Sequence, residues 1–440
     1  VAAVAVFVAV FCVFNANGRE LSSYDSQPAK YTALEIARYR TLVLDTDVSR
    51  LPDLANRAGF AVDRFGHWRS AYPPLPGLLA GGVGTALKGL GVLDLAAPPA
   101  ASLIAKLTAS LLTALSVSLG FLIARRRLST GPAVFVALGF GLGTNLWAQT
   151  SQTLWQSETA IAALCAAVYC IAVPSSKLTT RRLWLASVCL GLAGAARAQL
   201  APAILVFAGA IVMRRRRPHD AFALLPLIAI GCMTAVLNLH WFGHLLGGRP
   251  QLEAAATMAH AVEGPIGNPI TGALGLLISP SRGLLIFSPI VLVVFAGLPA
   301  ARAQTLRDDL PWCAIGALLQ FGCYATYSAW WGGHSYGPRL CLDLLPFLLP
   351  LAATGMEWVI IRPWRRWGAT VLLLWSMLVA GTGAFVYPYD AWNIIPVDVD
   401  LYHERLWDWR DVQFVRAWQT GISPQNFQLF SADSYHRRIR

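Results

Sequence analysis

Charge is what this sequence has least of. Only 13% of its 440 residues are Asp, Glu, Lys or Arg, against roughly 25% in soluble globular chains. Hydrophobic residues make up 56%, and apolar runs recur at short intervals, which excludes a soluble enzyme of two or three domains and points to one helical bundle in a bilayer. Paired cysteines are also missing. Cys12, Cys165, Cys170, Cys189, Cys232, Cys313, Cys323 and Cys341 all fall within or at the ends of apolar runs, so no metal-ligand spacing and no disulfide framework is read. No internal repeat is present, as a transporter built from related halves would carry. The surplus of 35 basic over 23 acidic residues comes with no nucleic-acid-binding motif and reads as topology and contact with anionic headgroups.

Arginine sets the orientation. Basic clusters at Arg125, Arg126 and Arg127, at Lys177, Arg181 and Arg182, at Arg214 to Arg217, at Arg302 and Arg307, and at Arg362, Arg365 and Arg366 each separate two apolar runs. By the positive-inside rule these are cytoplasmic turns. They predict spans near 1–14, 101–124, 131–149, 155–174, 182–197, 198–213, 220–240, 283–300, 310–328, 338–360 and 367–387. The chain opens at Val1 inside an apolar run with no methionine, and no small-residue cleavage site follows Phe14. The run therefore reads as an anchor whose start precedes Val1, rather than as a signal peptide. Two further apolar stretches would break the parity and are assigned to the outer interface or a re-entrant segment: 76–93, with Lys88 and six glycines, and 264–281. The expectation is an all-α polytopic membrane protein of about 11 transmembrane helices. Its membrane domain runs over 1–387, with a first external loop at 15–100 carrying interfacial helices and a second external or re-entrant segment at 241–282. Residues 388–440 form a short external cap, too aromatic for disorder, that folds back over part of the cavity.

This topology gathers the polar residues of the turns on one face. Tyr24 and Asp25 follow the first span, and His67, Arg69 and Tyr72 precede the 76–93 segment. Glu158 begins a span, Arg197 lies at a tight turn between two short helices, and Arg282 and Arg339 each begin a span from the same side. Trp330, Trp331, His334 and Tyr336 share a loop with Arg339. The tryptophans and tyrosines Trp68, Trp147, Trp155, Trp241, Tyr387, Tyr389 and Trp392 serve mostly as interfacial anchors. By position alone, Asp25 also suits a helix N-cap or Asx-turn before residues 29–40.

The motifs SYDSQPAKY, LWQSE, SPSRGLLIFSP and WWGGHSYGPRL, with a YPP entry to an interfacial helix, resemble the class C glycosyltransferases, membrane enzymes that use polyprenyl-phosphate sugars. Protein O-mannosyltransferases and the lipid A aminoarabinose transferase belong to that class, and the motifs are most similar to those of bacterial mannosyltransferase-like members. The resemblance spans nearly the whole chain. It implies transfer of a hexose or pentose from a lipid phosphate or diphosphate to a glycan, lipid or protein acceptor, usually with inversion. The setting it implies is the external face of a bacterial cytoplasmic membrane.

An inverting displacement needs a base for the acceptor hydroxyl, and the resemblance gives that role to Asp25. The leaving phosphate needs positive charge, for which Arg339 and Arg282 lead and Arg69 and Lys106 follow. Tyr24, Glu158, Arg197, His334, Tyr336, Trp330 and Trp331 are the candidates for holding sugar or acceptor. No cofactor is assigned and no metal is favoured, a divalent cation held where Asp25 and Glu158 converge being the alternative. The DTD at Asp45 to Asp47 looks like the metal motif of nucleotide-sugar transferases, yet no nucleotide-binding domain surrounds it. The competing functions are a transporter or flippase of lipid-linked saccharides, and an oligosaccharide polymerase or ligase.

Overall fold

The structure is a computed structural model that describes residues 1–56, 59–214, 218–262, 264–386, 391–422 and 426. The expected Tyr387 and Tyr389 anchors, Arg215 to Arg217 of one basic cluster, and the basic end from His436 lie outside the described residues.

The chain starts with α1 (Ala2–Asn15), α2 (Gln27–Tyr39) and the short α3 (Asp45–Arg50), then a two-stranded antiparallel hairpin, β1 (Phe60–Val62) and β2 (Trp68–Ser70). It continues with α4 (Leu75–Gly89), α5 (Ala100–Ala124), α6 (Thr130–Gly141), α7 (Ser157–Ile171), α8 (Thr180–Ala196), α9 (Ala201–Arg214) and α10 (Leu225–Phe242). After α11 (Arg249–Ala259), α12 (Pro269–Ile278) and α13 (Leu284–Phe287) come α14 (Val293–Ala303), α15 (Leu310–Ala325), α16 (Leu345–Val359), α17 (Pro363–Phe385) and α18 (Gln413–Thr420).

Each expected span coincides with helical structure. Among the described residues, four helical stretches, Ala100–Ala124, Phe222–Phe242, Arg339–Val359 and Pro363–Phe385, are long and apolar enough to cross a bilayer, and shorter apolar helices supply most of the rest. Two expected spans are interrupted. The 131–149 span stops as α6 at Gly141 and resumes as a π-helical turn over Leu146–Thr150. The 283–300 span divides at Pro289 into α13, a 3-10 turn over Pro289–Leu292 and α14, since proline lacks the N–H that an uninterrupted helix needs there. The 264–281 segment contains only the ten-residue α12, too short to span.

Small residues let the helices approach. A Cβ on Gly297 would lie 2.2 Å from the Leu351 carbonyl oxygen, and one on Gly355 would lie 2.0 Å from that of Val293, so α14 and α16 cross almost backbone to backbone. The glycines of the 76–93 segment have a similar purpose. Cβ atoms on Gly77 and Gly81 would strike Thr32 and Ile36 of α2, and one on Gly84 would strike Ile104 of α5. The flank of α4 that carries Leu78 and Leu79 stays exposed. By contrast, α10 has no buried residue, and its all-round apolar surface suits lipid contact.

The end of the bundle with the arginine turns has its own logic. Arg126 donates to the carbonyls of Tyr169 and Ala172, and Arg214 donates to those of Ile171 and Val173. These cations cover the unpaired carbonyls at the C-terminus of α7, while Arg127 pairs with Asp309 at 3.1 Å.

Candidate active site

The loop after α1 must turn back toward the bundle, and it does so in a 3-10 turn over Tyr24–Ser26. Ser26 closes that turn, accepting from the Ser23 N–H at 3.0 Å and donating to the Ser23 carbonyl at 2.9 Å. The N-cap of α2 is Ser26, not Asp25. Asp25 is thereby left out of the capping geometry, with its side chain 44% exposed.

Two donors from distant parts of the chain converge on this carboxylate. Tyr72 Oη donates to Asp25 Oδ1 at 3.1 Å, and Arg339 Nη2 donates to Asp25 Oδ2 at 3.1 Å. The Arg339 guanidinium lies over the ring of Trp155, 4.1 Å from its centroid, and Nη1 reaches the Gly332 carbonyl at 3.4 Å. Stacking and hydrogen bonding together fix the plane of the fork. Gly332, Gly333 and Gly337 adopt φ of 74°, 71° and 59°, and these left-handed turns bring the arginine back to the rim. Burial and the neighbouring Asp25 carboxylate push the Tyr72 phenol well above its ordinary range, so Tyr72 remains a donor across physiological pH. The result is an accessible carboxylate held by one cation and one phenol, beside an aromatic wall.

No protein-family profile matches the chain, and no curated protein sequence matches it. Solved structures do. ArnT from Cupriavidus metallidurans in the apo state superposes with a TM-score of 0.51 at 15% identity, covering 98% of this chain and 74% of that one. The Archaeoglobus fulgidus oligosaccharyltransferase, tethered with an acceptor peptide, superposes with a TM-score of 0.50 at 12% identity, covering 92% of this chain and 59% of that one. The fold is that of the class C membrane glycosyltransferases.

Within this class C fold, the other sequence candidates occupy different places from Asp25 and Arg339. Arg282 is fully buried: Nε donates to the Trp331 carbonyl at 3.1 Å, Nη1 to Ser281 O and Gln413 Oε1, and Nη2 to Gly333 O and Asn393 Oδ1. Lys106 is fully buried as well, donating to Phe14 O, Asn17 Oδ1 and Gln152 Oε1 at 2.6–3.0 Å. Neither has the exposure a headgroup phosphate needs. Arg69 pairs with Asp63 at 2.5 Å and lies over Trp241, while Asp63 is held below the usual carboxylate range by Arg69 and by the His67 and Phe65 N–H groups, against the opposing effect of burial.

The aromatic candidates Tyr336, Trp330 and Trp331 are also interior. Tyr336 donates from a buried hydroxyl to the Val379 carbonyl at 2.7 Å. Trp330 packs beneath Gly275 and against Trp407, and Trp331 donates to Asp400 Oδ1 at 2.6 Å. His334 lies against Asp398 and Asp400. Arg197 meets Asp343 at 2.8 Å and donates to Ser157 Oγ at 2.8 Å, with the Tyr324 hydroxyl also on Asp343. Glu158, next along α7 from Ser157, is fully buried, and neither carboxylate oxygen meets a well-formed hydrogen-bond donor among the described residues. Tyr24, beside Asp25 in the chain, is 57% exposed. Of the DTD carboxylates, Asp45 accepts from the Trp68 N–H at 2.7 Å and contacts His67, while Asp47 faces Arg38.

Some of the residues around Asp25 and Arg339 carry little signal in the sequence. Tyr72 is marked there only by its place on the polar face and Trp155 only as an interfacial aromatic, although YPP and LWQSE are the motifs that hold them. Glu20, which pairs with Lys30 at 2.5 Å and accepts from Thr153 Oγ1 at 2.6 Å, had no local signal. Nor did Asp343, which lies within an apolar run.

Proposed function

We propose that this chain is an inverting glycosyltransferase that moves a sugar from a polyprenyl-phosphate-linked donor to an acceptor at the outer face of a bacterial cytoplasmic membrane. One observation carries the reading: a half-exposed Asp25 carboxylate, joined to Arg339 and Tyr72, at the rim of a class C fold.

The chemistry needs three things at that rim. An acceptor oxygen attacks the anomeric carbon, the bond from that carbon to the phosphate oxygen breaks, and the electron pair leaves with the phosphate. Asp25 takes the acceptor proton. Arg339 offers a planar cation matched to phosphate oxygens, and the developing charge on the leaving group strengthens that contact as the bond breaks. In the resting arrangement Arg339 holds Asp25. Arrival of a donor phosphate competes for the guanidinium and leaves the carboxylate to the acceptor, with Tyr72 keeping its orientation. A hydroxyl of a glycan, lipid or protein meets these requirements equally, and no cofactor is part of the scheme.

The test uses the purified full chain in detergent or nanodiscs with radiolabelled polyprenyl-phosphate and -diphosphate sugars and a membrane extract as acceptor source. A labelled product is expected with at least one donor. In Asp25→Asn, transfer falls by about 10²–10⁴-fold, the range for loss of a general base, while donor binding persists. Absence of product across the whole donor panel overturns the proposal. Transfer by Asp25→Asn at the parental rate removes Asp25 as the base, and lipid-saccharide translocation without transfer points instead to a flippase.

A further inference from the structure

We propose that His334, Asp398 and Asp400 form a binding site for one divalent first-row cation, Zn²⁺ by donor chemistry, which locks the C-terminal segment onto the 330–339 loop. The site is separate from the Asp25 rim, and it stands or falls independently of glycosyl transfer.

The donors come from two segments that share no secondary structure. His334 Nε2 lies 2.7 Å from Asp398 Oδ1 and 3.2 Å from Asp400 Oδ2, and all three donor atoms lie within 4.8 Å of one another. Ligands at about 2.0–2.2 Å around a tetrahedral Zn²⁺ are separated by roughly 3.4 Å, so small shifts admit an ion. An imidazole with two carboxylates favours zinc over magnesium or calcium. The hydrogen count points the same way. A neutral imidazole nitrogen carries at most one hydrogen, yet two carboxylate oxygens converge on Nε2. Asp398 Oδ1 has a second donor, the Asp400 N–H at 2.9 Å, while a cation would satisfy both carboxylates at once.

A second, independent observation is the shell behind Asp400. Its other oxygen, Oδ1, accepts from Trp331 Nε1 at 2.6 Å and lies 3.1 Å from His260 Nδ1. His403 Nε2 sits 2.9 Å from both the Asp400 and the His260 carbonyls. Outer-shell bonds of this kind orient a ligating carboxylate, and here they leave Oδ2 turned toward His334. Access exists as well, with His334 and Asp398 side chains 38% and 31% exposed. The mechanical consequence follows from chain connectivity. Gly332 and Gly333 lie between Trp331 and His334, and the Gly332 carbonyl accepts from Arg339, so an ion on His334 would stiffen the loop that holds Arg339 at the rim.

The experiment is calorimetric titration of Zn²⁺ into the chelator-treated full chain, with thermal melts and size exclusion in parallel. One Zn²⁺ per chain and a higher melting temperature in its presence are expected. His334→Gln and Asp398→Asn should each bind at least about tenfold more weakly. His67→Gln, which removes the exposed His67–Asp45 pair elsewhere in the outer loop, should bind as the parent does. Asp398→Asn changes the more exposed carboxylate, so it remains informative if His334→Gln aggregates. A flat parental isotherm overturns the site and leaves a plain ion-pair clasp. Undiminished binding in Asp398→Asn, or an equal loss in His67→Gln, also overturns it.

Discussion

Arg339 and Arg282 look alike in sequence and end in opposite environments. Each follows a proline within a few residues, and each precedes an apolar segment. Arg339 retains a half-exposed carboxylate and an aromatic wall as neighbours. Arg282 is enclosed by carbonyl and amide oxygens, including Asn393 and Gln413 from the C-terminal segment more than a hundred residues away. The difference lies in what folds over each arginine. A cation at a helix entrance is a ligand site only while the chain leaves it open, and one that is covered becomes a tie between segments.

Exchanging functions between the two is the strongest test. Arg339→Gln should lower transfer by about 10²–10³-fold, as for loss of one preorganised charge stabiliser, with little change in melting temperature. Arg339→Lys should recover only part of the loss, because a point charge cannot reproduce the fork or the stack on Trp155. Arg282→Met should do the reverse. Leaving several buried acceptors unmatched costs on the order of 3 kcal/mol, read as a lower melting temperature or loss of a monodisperse peak, with transfer per folded molecule largely kept. If Arg282→Met folds normally and loses transfer, the assignments of the two arginines must be exchanged.

The sequence made the helical framework legible because a bilayer leaves few alternatives. Apolar runs bounded by arginine clusters each coincide with helical structure, whereas the short helices α3, α11 and α18 lie outside them, and the interruptions at Gly141 and Pro289 follow backbone rules that a hydropathy reading smooths over. The motifs single out both Asp25 and Arg339, and the structure pairs them. Burial itself was not legible. Lys106, Arg282, Tyr336 and Trp331 carry the same residue-level signals as ligand-binding side chains, and only the tertiary arrangement shows that their polar atoms are engaged by protein. The glycines of α4 suit interfacial placement in the sequence, whereas their immediate cause in the structure is close contact with α2 and α5. Asp398 and Asp400 gave no sign of convergence with His334, because contacts across more than sixty residues leave no local pattern.

Tyr72 refines the contrast at the rim. Its hydroxyl donates one hydrogen bond to Asp25 beside that of Arg339, so Tyr72→Phe should remove about 1 kcal/mol of orientation. Expected is a several-fold slower transfer, with melting and donor affinity unchanged. An effect as large as that of Asp25→Asn would mean that the phenol itself takes part in proton transfer.

The smallest effect at neutral pH concerns the other end of α2, where Glu35 contrasts with the exposed Asp25. Glu35 is 1% exposed, and burial, followed by the charge and hydrogen bonding of Asp47, raises its carboxyl to about 7, with Arg38 and Arg50 partly opposing. Because the folded value lies above the ordinary 4.5, the protonated form favours the fold. That contribution is fully present below about pH 4.5 and is lost as pH rises through about 7. Glu35→Gln is neutral throughout and lacks this decline. The melting temperature of the parent should therefore fall relative to that of the variant between pH 5 and pH 8.5, with the crossover near neutrality. Parallel melting curves for the two proteins across that interval would show that the Glu35–Asp47 pair does not share a proton. Since Asp25 lies just before the first turn of the same helix, parallel curves accompanied by a changed transfer profile would instead assign the coupling to the rim.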